Sequence, residues 1–502
     1  MRIGRQLLNV DANLDVDRAM SNINHALRKS LSTNFIGRYA NILVQIVVTG
    51  MLARVLSPAE FGVMAIVSVL VTFFSFVSEM GLGPAIVQFR DLDRSQIAGL
   101  FWVTVGIGAF AGAVFAACGP LIARLYDNAE YVHISFGLGL TIAFSCWTIV
   151  PLALLRRAQR FRAIVMIEVF SAVISGAIAI GGAYYGLGVF ALVVKSATYA
   201  FLMFIFFIGV SELPYRYTSS IRGMRHVFAY STYQFLFNVL NYFTRNLDKL
   251  LIGKVMGVTS LGLYDMSYRL MLMPVSNLTS VVGPAIQPVY AAYQQDRKMV
   301  FSSYQNLLRT LIVIGGLVQV VSVICAKEII LVFYGMKWPG AIPIFYILSY
   351  SIGVQIVLSS TGAVYQALGR TDLLFKTGLI STLTTVGAIL VGVVSRDLHV
   401  LSWLLVAGFF LNAIQGFWIL ARKGFGMRVI DLFMPSSKCI AGAMIVGLLC
   451  LSLDRYLNVA QLGVAMTLVV KILVISILYF IATVLTGDIA FVMNTWVRRR
   501  AV

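Results

Sequence analysis

Fourteen long apolar runs dominate this 502-residue chain and leave it few ways to fold. They lie near residues 34–55, 61–83, 96–123, 131–155, 163–185, 188–210, 227–256, 261–290, 305–333, 341–368, 374–395, 400–421, 434–453 and 461–486. Each is long enough to cross a hydrocarbon core of about 30 Å, which takes roughly 20 apolar residues in a helix. Hydrophobic residues make up 59% of the chain and charged ones 12%, whereas a soluble domain carries about 25% charge. No soluble core could hide that much apolar surface, so the surrounding solvent is lipid. The runs are continuous, not alternating, which selects helices over the strands of a membrane barrel. The expectation is an all-α integral membrane protein of about 14 transmembrane helices.

Charge gives the direction, because Lys and Arg accumulate in cytoplasmic loops. The N-terminal tail carries Arg2, Arg5, Arg18, Arg28 and Lys29, and every second loop afterwards is basic, as in "RRAQRFR" at 156–162. That side holds 25 basic residues against about five in the intervening loops, which predicts cytoplasmic termini. The net charge of +19 thus reports topology, and its scatter over short loops argues against nucleic acid as a partner. Val16, Ala19, Ile23, Ala26 and Leu27 fall at helical spacing. The tail 1–30 is therefore either an amphipathic helix on the inner face or a poorly ordered segment. No cleavable leader is evident in it. The five cysteines show no pairing or metal spacing and read as packing residues.

The chain also says the same thing twice. "LARVLSPAEFG" at 52–62 returns as "IGKVMGVTSLG" at 252–262, and "GPAI" occurs at 83–86 and again at 283–286. The common offset of 200 pairs helices 1–6 with helices 7–12. An even number of helices per copy makes the two copies parallel repeats about an axis along the membrane normal. The expected domains are a tail (1–30), an N-lobe (31–211), a linker (212–226), a C-lobe (227–421), and two further helices with a basic tail (422–502).

Polar residues follow the same offset. Asn34, Arg38, Asn41 and Gln45 are spaced 4, 3 and 4, one face of a helix, and Gln234, Asn238, Asn241 and Arg245 stand 200 residues on. Asp248 continues the second face with Lys249 beside it. An ionisable side chain near the bilayer centre costs about 2.5–3.5 kcal/mol, so such stripes face one another, a partner helix or water. One reading is interhelical hydrogen bonding, worth about 0.6 kcal/mol per contact; the other is a water-filled cavity between two lobes. Asp265 and Arg269, four residues apart, either neutralise each other or let Arg269 hold a phosphate with Asp265 orienting it. Arg54 and Lys254 close helices 1 and 7, where a cation meets the negative end of the helix dipole. Pro84, Pro151, Pro274, Pro284 and Pro288 should bend or end their helices.

"LARVLSPAEFGVMAI" at 52–66 and "DKLLIGKVMGVTSLGLYDMSYRL" at 248–270 resemble the Wzx-type polysaccharide transporters. These belong to the multidrug/oligosaccharidyl-lipid/polysaccharide flippase superfamily, and the subgroup most similar is that of the colanic acid, succinoglycan and xanthan exporters. The resemblance covers nearly the whole chain. It implies two six-helix lobes with two helices outside them, and a bacterial inner-membrane flippase for undecaprenyl-diphosphate-linked oligosaccharide repeat units working by alternating access. A polysaccharide polymerase and a chain-length regulator are then candidate partners.

Under that reading Asn34, Arg38, Asn41, Gln45, Gln234, Asn238, Asn241, Arg245, Lys249 and Arg269 would face the substrate, and Asp248 and Asp265 are candidates for binding a coupling H+ or Na+. No cofactor and no metal site are expected. Connections of about 16 residues at most leave no room for a soluble catalytic domain. "GVFALVVKS" at 188–196 lacks P-loop spacing, so an enzyme is not expected. A cation-coupled small-molecule antiporter of the same superfamily would prefer an acidic cavity over one with Arg38 and Arg245. A non-transporting scaffold of a polysaccharide assembly complex is the other alternative.

Overall fold

A computed structural model describes residues 37–79, 82–88, 92–213, 242, 246–457 and 463–488. Among them the chain is helical throughout its ordered elements. Helix α1 covers 37–55 and is followed by α2 (Pro58–Glu79), α3 (Leu82–Gln88), α4 (Arg94–Ala117), α5 (Gly119–Tyr126), α6 (Glu130–Trp147), α7 (Ile149–Arg157), α8 (Phe161–Tyr184) and α9 (Phe190–Val210). Then come α10 (246–255), α11 (Val258–Ala292), α12 (Arg297–Ile324), α13 (Ala326–Tyr334), α14 (Ala341–Ser349), α15 (Ile352–Ser359) and α16 (Thr361–Ala367). The last are α17 (Thr371–Val394), α18 (Leu398–Ile419), α19 (Val429–Phe433), α20 (Ser437–Leu457) and α21 (Val464–Leu485).

Ten of the described helical segments are long and apolar enough to cross a membrane, and the bent pair α14 with α15–α16, kinked by 47°, makes an eleventh. These correspond to sequence runs 2–6 and 9–14. Run 7 lies mostly outside the described residues. Helix α11 is 35 residues long and runs through Pro274, Pro284 and Pro288, but its polar residues keep it below the hydropathy of the others. Pro151 acts as expected: it cannot donate to the Trp147 carbonyl, and the helix breaks between α6 and α7 at Thr148.

Local sequence sets the helix starts. Ser57 and Glu60 form a reciprocal cap on α2, with the Ser57 amide 2.6 Å from Glu60 Oε2. Asp93 and Gln96 do the same for α4: Asp93 Oδ1 accepts the Gln96 amide at 2.7 Å, and Gln96 Oε1 accepts the Asp93 amide at 3.0 Å. The Gln96 amide, with the Ser95 hydroxyl, holds the Asp93 carboxyl below the usual carboxylate range. Asp296 and Asp397 cap α12 and α18 through the amides of Met299 and His399.

The described residues form two compact units. The first holds Ile66–Phe243 and the chain before Ser57; the second holds Ser57–Ala65 and everything after Phe243. In lipid, helices gain little from the hydrophobic effect and associate by close packing. In the first unit α4 and α6 meet at Gly112 and Gly139, where a Cβ on either glycine would lie 2.5–2.6 Å from the other's carbonyl oxygen. Trp147 Nε1 seals the same contact by donating to the Val105 carbonyl at 3.0 Å. In the second unit the first turns of α2 and α11 cross with near-twofold symmetry. A Cβ on Gly62 would lie 1.7 Å from the Val258 oxygen, and one on Gly262 would lie 1.8 Å from the Pro58 oxygen. The residues in contact are thus themselves related by the offset of 200.

Two buried ion pairs tie α21 into the second unit. Lys471 Nζ lies 2.7 Å from Glu328 Oε1, with side chains 2% and 5% exposed. At the other end Asp488, fully buried, pairs with Arg309 of α12.

Candidate functional site

In the first unit α1 and α8 run parallel. Gly37 packs on Val165 and Gly176 on Val48, and both pairs are 128 residues apart. That register places Glu168 of α8 at the level between Arg38 and Asn41 of α1. Arg156, from the last turn of α7, and Phe161, from the first turn of α8, close the end toward the basic loop. Together with Gln45 these side chains line a pocket of about 370 Å³. Arg38, Gln45 and Arg156 are exposed, Asn41 and Glu168 half-buried. No hydrogen bond or ion pair within the described residues engages Arg38, Arg156 or Glu168. The Asn41 Oδ1 is buried and likewise has no hydrogen-bond partner. The pocket therefore offers two guanidinium groups, one carboxylate and two amides that no hydrogen bond or close ion pair within the described residues takes up, with Arg156 and Glu168 near enough to feel each other's charge.

The second unit carries a different arrangement. Asp248 on α10 accepts the Tyr264 hydroxyl at 2.8 Å on Oδ2 and the Lys249 amide at 2.8 Å on Oδ1. The Lys249 ammonium turns to α11 and lies 2.9 Å from Asp265 Oδ1, while Arg269 Nε lies 2.6 Å from Asp265 Oδ2. Asp265 is thus clamped between two cations, and its side chain is 3% exposed. The four charges sum to zero. A buried carboxylate in lipid is tolerable only with such partners. The pair of the first sequence reading is formed, and the Arg269 side chain stays 53% exposed.

The residues expected to face substrate are therefore divided. Arg38, Asn41 and Gln45 come together in the first unit, Lys249 and Arg269 in the second, where Asp248 and Asp265 partner them. Asn34, Gln234, Asn238, Asn241 and Arg245 lie outside the described residues. Sequence reasoning did not assign to the site Arg156, which it counted only as a loop charge, or Glu168, which it read as a candidate partner of Lys195 within the first lobe. The signal for Glu168 was a lone carboxylate within an apolar run. It also missed Tyr264 as the donor to Asp248 and Glu328 as the partner of Lys471.

A second cavity, of about 810 Å³, opens in the second unit among α12, α15, α18, α19 and α20. Val320, Val357, Phe417, Ala443 and Leu448 are typical of its walls. Gln319 is one of its few polar residues, and its Oε1 already accepts the Gly353 amide at 3.0 Å. Its chemistry is that of a site for an aliphatic chain.

Comparison with known proteins places this geometry in context. The profile of the family described as "Polysaccharide biosynthesis protein" matches residues 51–343, more than half of the chain. The chain is 23% identical over 387 residues to the teichuronic acid biosynthesis protein TuaB of Bacillus subtilis, covering 76% of this chain and 79% of that protein. It is 24% identical over 450 residues to the succinoglycan biosynthesis transport protein ExoT of Rhizobium meliloti, covering 88% and 90%. Among solved structures the lipid II flippase MurJ, in an inward closed conformation, superposes with a TM-score of 0.70 at 14% identity, covering 91% of this chain and 99% of that one. The fold is shared with MurJ.

Proposed function

Because the chain belongs to the polysaccharide biosynthesis protein family, we propose that it flips undecaprenyl-diphosphate-linked oligosaccharide repeat units across the bacterial inner membrane by alternating access. One observation carries this reading: in a largely apolar chain, Arg38 and Arg156 present guanidinium groups, not hydrogen-bonded within the described residues, to a pocket beside a basic loop. A diphosphate is the ligand that such donors suit, since a guanidinium fork gives two hydrogen bonds to phosphate oxygens. The apolar cavity in the second unit adds a surface of the right chemistry for a prenyl chain. Within the second unit, Arg269, oriented by Asp265, is a separate guanidinium suited to an anion. Asp248 serves a coupling H+ or Na+, because its partner Tyr264 is neutral, whereas Asp265 is held by two cations.

The relatives TuaB and ExoT point to an exported bacterial polysaccharide as the pathway. With both termini in the cytoplasm, as the basic loops predict, the first unit's pocket would lie on the cytoplasmic side, where lipid-linked repeat units are made. The N-lobe (31–211), C-lobe (227–421) and outer helix pair (422–502) are the working divisions of this proposal, whereas the compact units divide at Phe243 and assign Ser57–Ala65 to the second. A polymerase and a chain-length regulator act on the product.

The test is the sidedness of the lipid-linked repeat unit in inner-membrane vesicles. Arg156→Ala should leave the protein inserted and abundant while repeat units accumulate on the cytoplasmic face. Normal translocation with failed polymerisation would instead mark the chain as a scaffold.

A further inference from the structure

Resting on that head-group reading, we infer that the first unit's pocket also selects the sugar attached to the diphosphate: it takes a neutral hexose and rejects a hexuronate, with Glu168 as the discriminating residue. A phosphate needs donors only. Arginine supplies them; a carboxylate accepts and never donates, so Glu168 cannot itself hold a phosphate, and among the described residues it is not hydrogen-bonded to an arginine in the way Asp265 holds Arg269. Its place beside two guanidinium groups fits a ligand with an anionic end and a hydroxyl-rich end. A hexose 1-diphosphate is such a ligand.

The order of residues along the pocket matches that polarity. Arg156 and Phe161 stand nearest the basic loop, Arg38 follows, and Glu168, Asn41 and Gln45 lie deeper by the parallel register of α1 and α8. The phosphate end meets Arg156 and Arg38. The ring then reaches Glu168, whose carboxylate accepts from two hydroxyls, and the amides of Asn41 and Gln45, which donate and accept. Asn41 Oδ1, buried without a partner, gains one from the ring. Phe161 offers its face to the ring's C–H groups. A cavity of about 370 Å³ sits at the small end of ligand sites, roughly 300–1,000 Å³, which suits one sugar and its phosphate, not a whole repeat unit. A uronate in that ring would set its carboxylate against Glu168.

The bland account is that Glu168 only balances Arg156, and binding measurements separate the two. The purified full-length protein in nanodiscs is titrated with farnesyl diphosphate, farnesyl-diphospho-glucose and farnesyl-diphospho-glucuronate. The wild type should bind the glucose probe about tenfold or more tightly than the glucuronate probe, the worth of a hydrogen bond to a charged group. Glu168→Gln, which keeps the shape, should weaken the glucose probe, bring the two sugars to parity, and bind farnesyl diphosphate as well as wild type or better. Glu168→Asp should restore part of the discrimination. An unchanged glucose-to-glucuronate ratio in Glu168→Gln, or a wild-type preference for glucuronate, overturns the inference while leaving the flippase reading intact. Failure of the wild type to bind farnesyl diphosphate, or indifference of that binding to Arg156→Ala, overturns both.

Discussion

The crossing of α2 and α11 offers the sharpest structural test. Replacing Gly262 by alanine places a methyl carbon 1.8 Å from the Pro58 carbonyl oxygen and 2.8 Å from its carbon. A close C–H···O approach needs about 3.3–3.6 Å between carbon and oxygen, so the two backbones must part by roughly 1.5 Å. Neither can yield by rotating a side chain, because the obstruction is main chain. Overpacking of this kind costs about 1–3 kcal/mol, and the upper end applies here since lipid supplies little hydrophobic compensation. Gly283, on the same helix, is the internal control: a Cβ there meets nothing within 4 Å, and alanine is the better helix former by about 1 kcal/mol. Thermal unfolding of the purified protein, followed by size-exclusion recovery, should therefore rank Gly262→Ala well below wild type and Gly283→Ala at or above it. Equal stability of the two variants would refute the close crossing.

Lys471→Ala strips the counter-ion from a carboxylate that is 5% exposed and should destabilise by about 3–5 kcal/mol in the same unfolding assay, whereas the double change Glu328→Gln with Lys471→Met should recover most of the loss. A double variant as unstable as the single one would show that the pair is not the cause. For topology, in a background without the five native cysteines, Arg160→Cys should label only from the cytoplasm and Asp397→Cys only from the periplasm. Both sites are exposed, and the opposite pattern would reverse the orientation.

Much of the fold was legible because lipid imposes a simple rule: every span must be a long apolar helix, and such runs are visible one by one. The rule weakens where helices carry function. Helix α11 combines Asp265, Arg269 and three prolines, so it falls outside the set of candidate spans, yet it holds half of the second unit's charge cluster. The offset of 200 was legible too, and the α2–α11 crossing supplies a physical reason for part of it. Gly62 and Gly262 approach each other's backbones so closely that any side chain on either would collide, and the repeat preserves glycine at both.

The sites were legible only within single helices. Periodicity put Arg38, Asn41 and Gln45 on one face, and it put Asp265 within reach of Arg269, because i,i+3 and i,i+4 neighbours are fixed by helix geometry alone. Which helix lies opposite is not encoded that way. Lys249 appeared to belong with its neighbour Asp248, but its ammonium pairs with Asp265, 16 residues on, since adjacent residues on a helix point apart and the next helix supplies the nearer carboxylate. Arg156 was hidden for a different reason. A basic residue at a helix end already has an explanation in the topology rule, and a charge with one sufficient explanation gives no hint of a second. Glu168 had a weaker explanation in the sequence, a pairing with Lys195: a carboxylate in an apolar run must be held there by a partner or kept for a ligand. Within the described residues no hydrogen bond or close ion pair holds it, and Arg156 is the charge it feels most, so the sequence alone could not say whether it balances that arginine or meets the ligand proposed above.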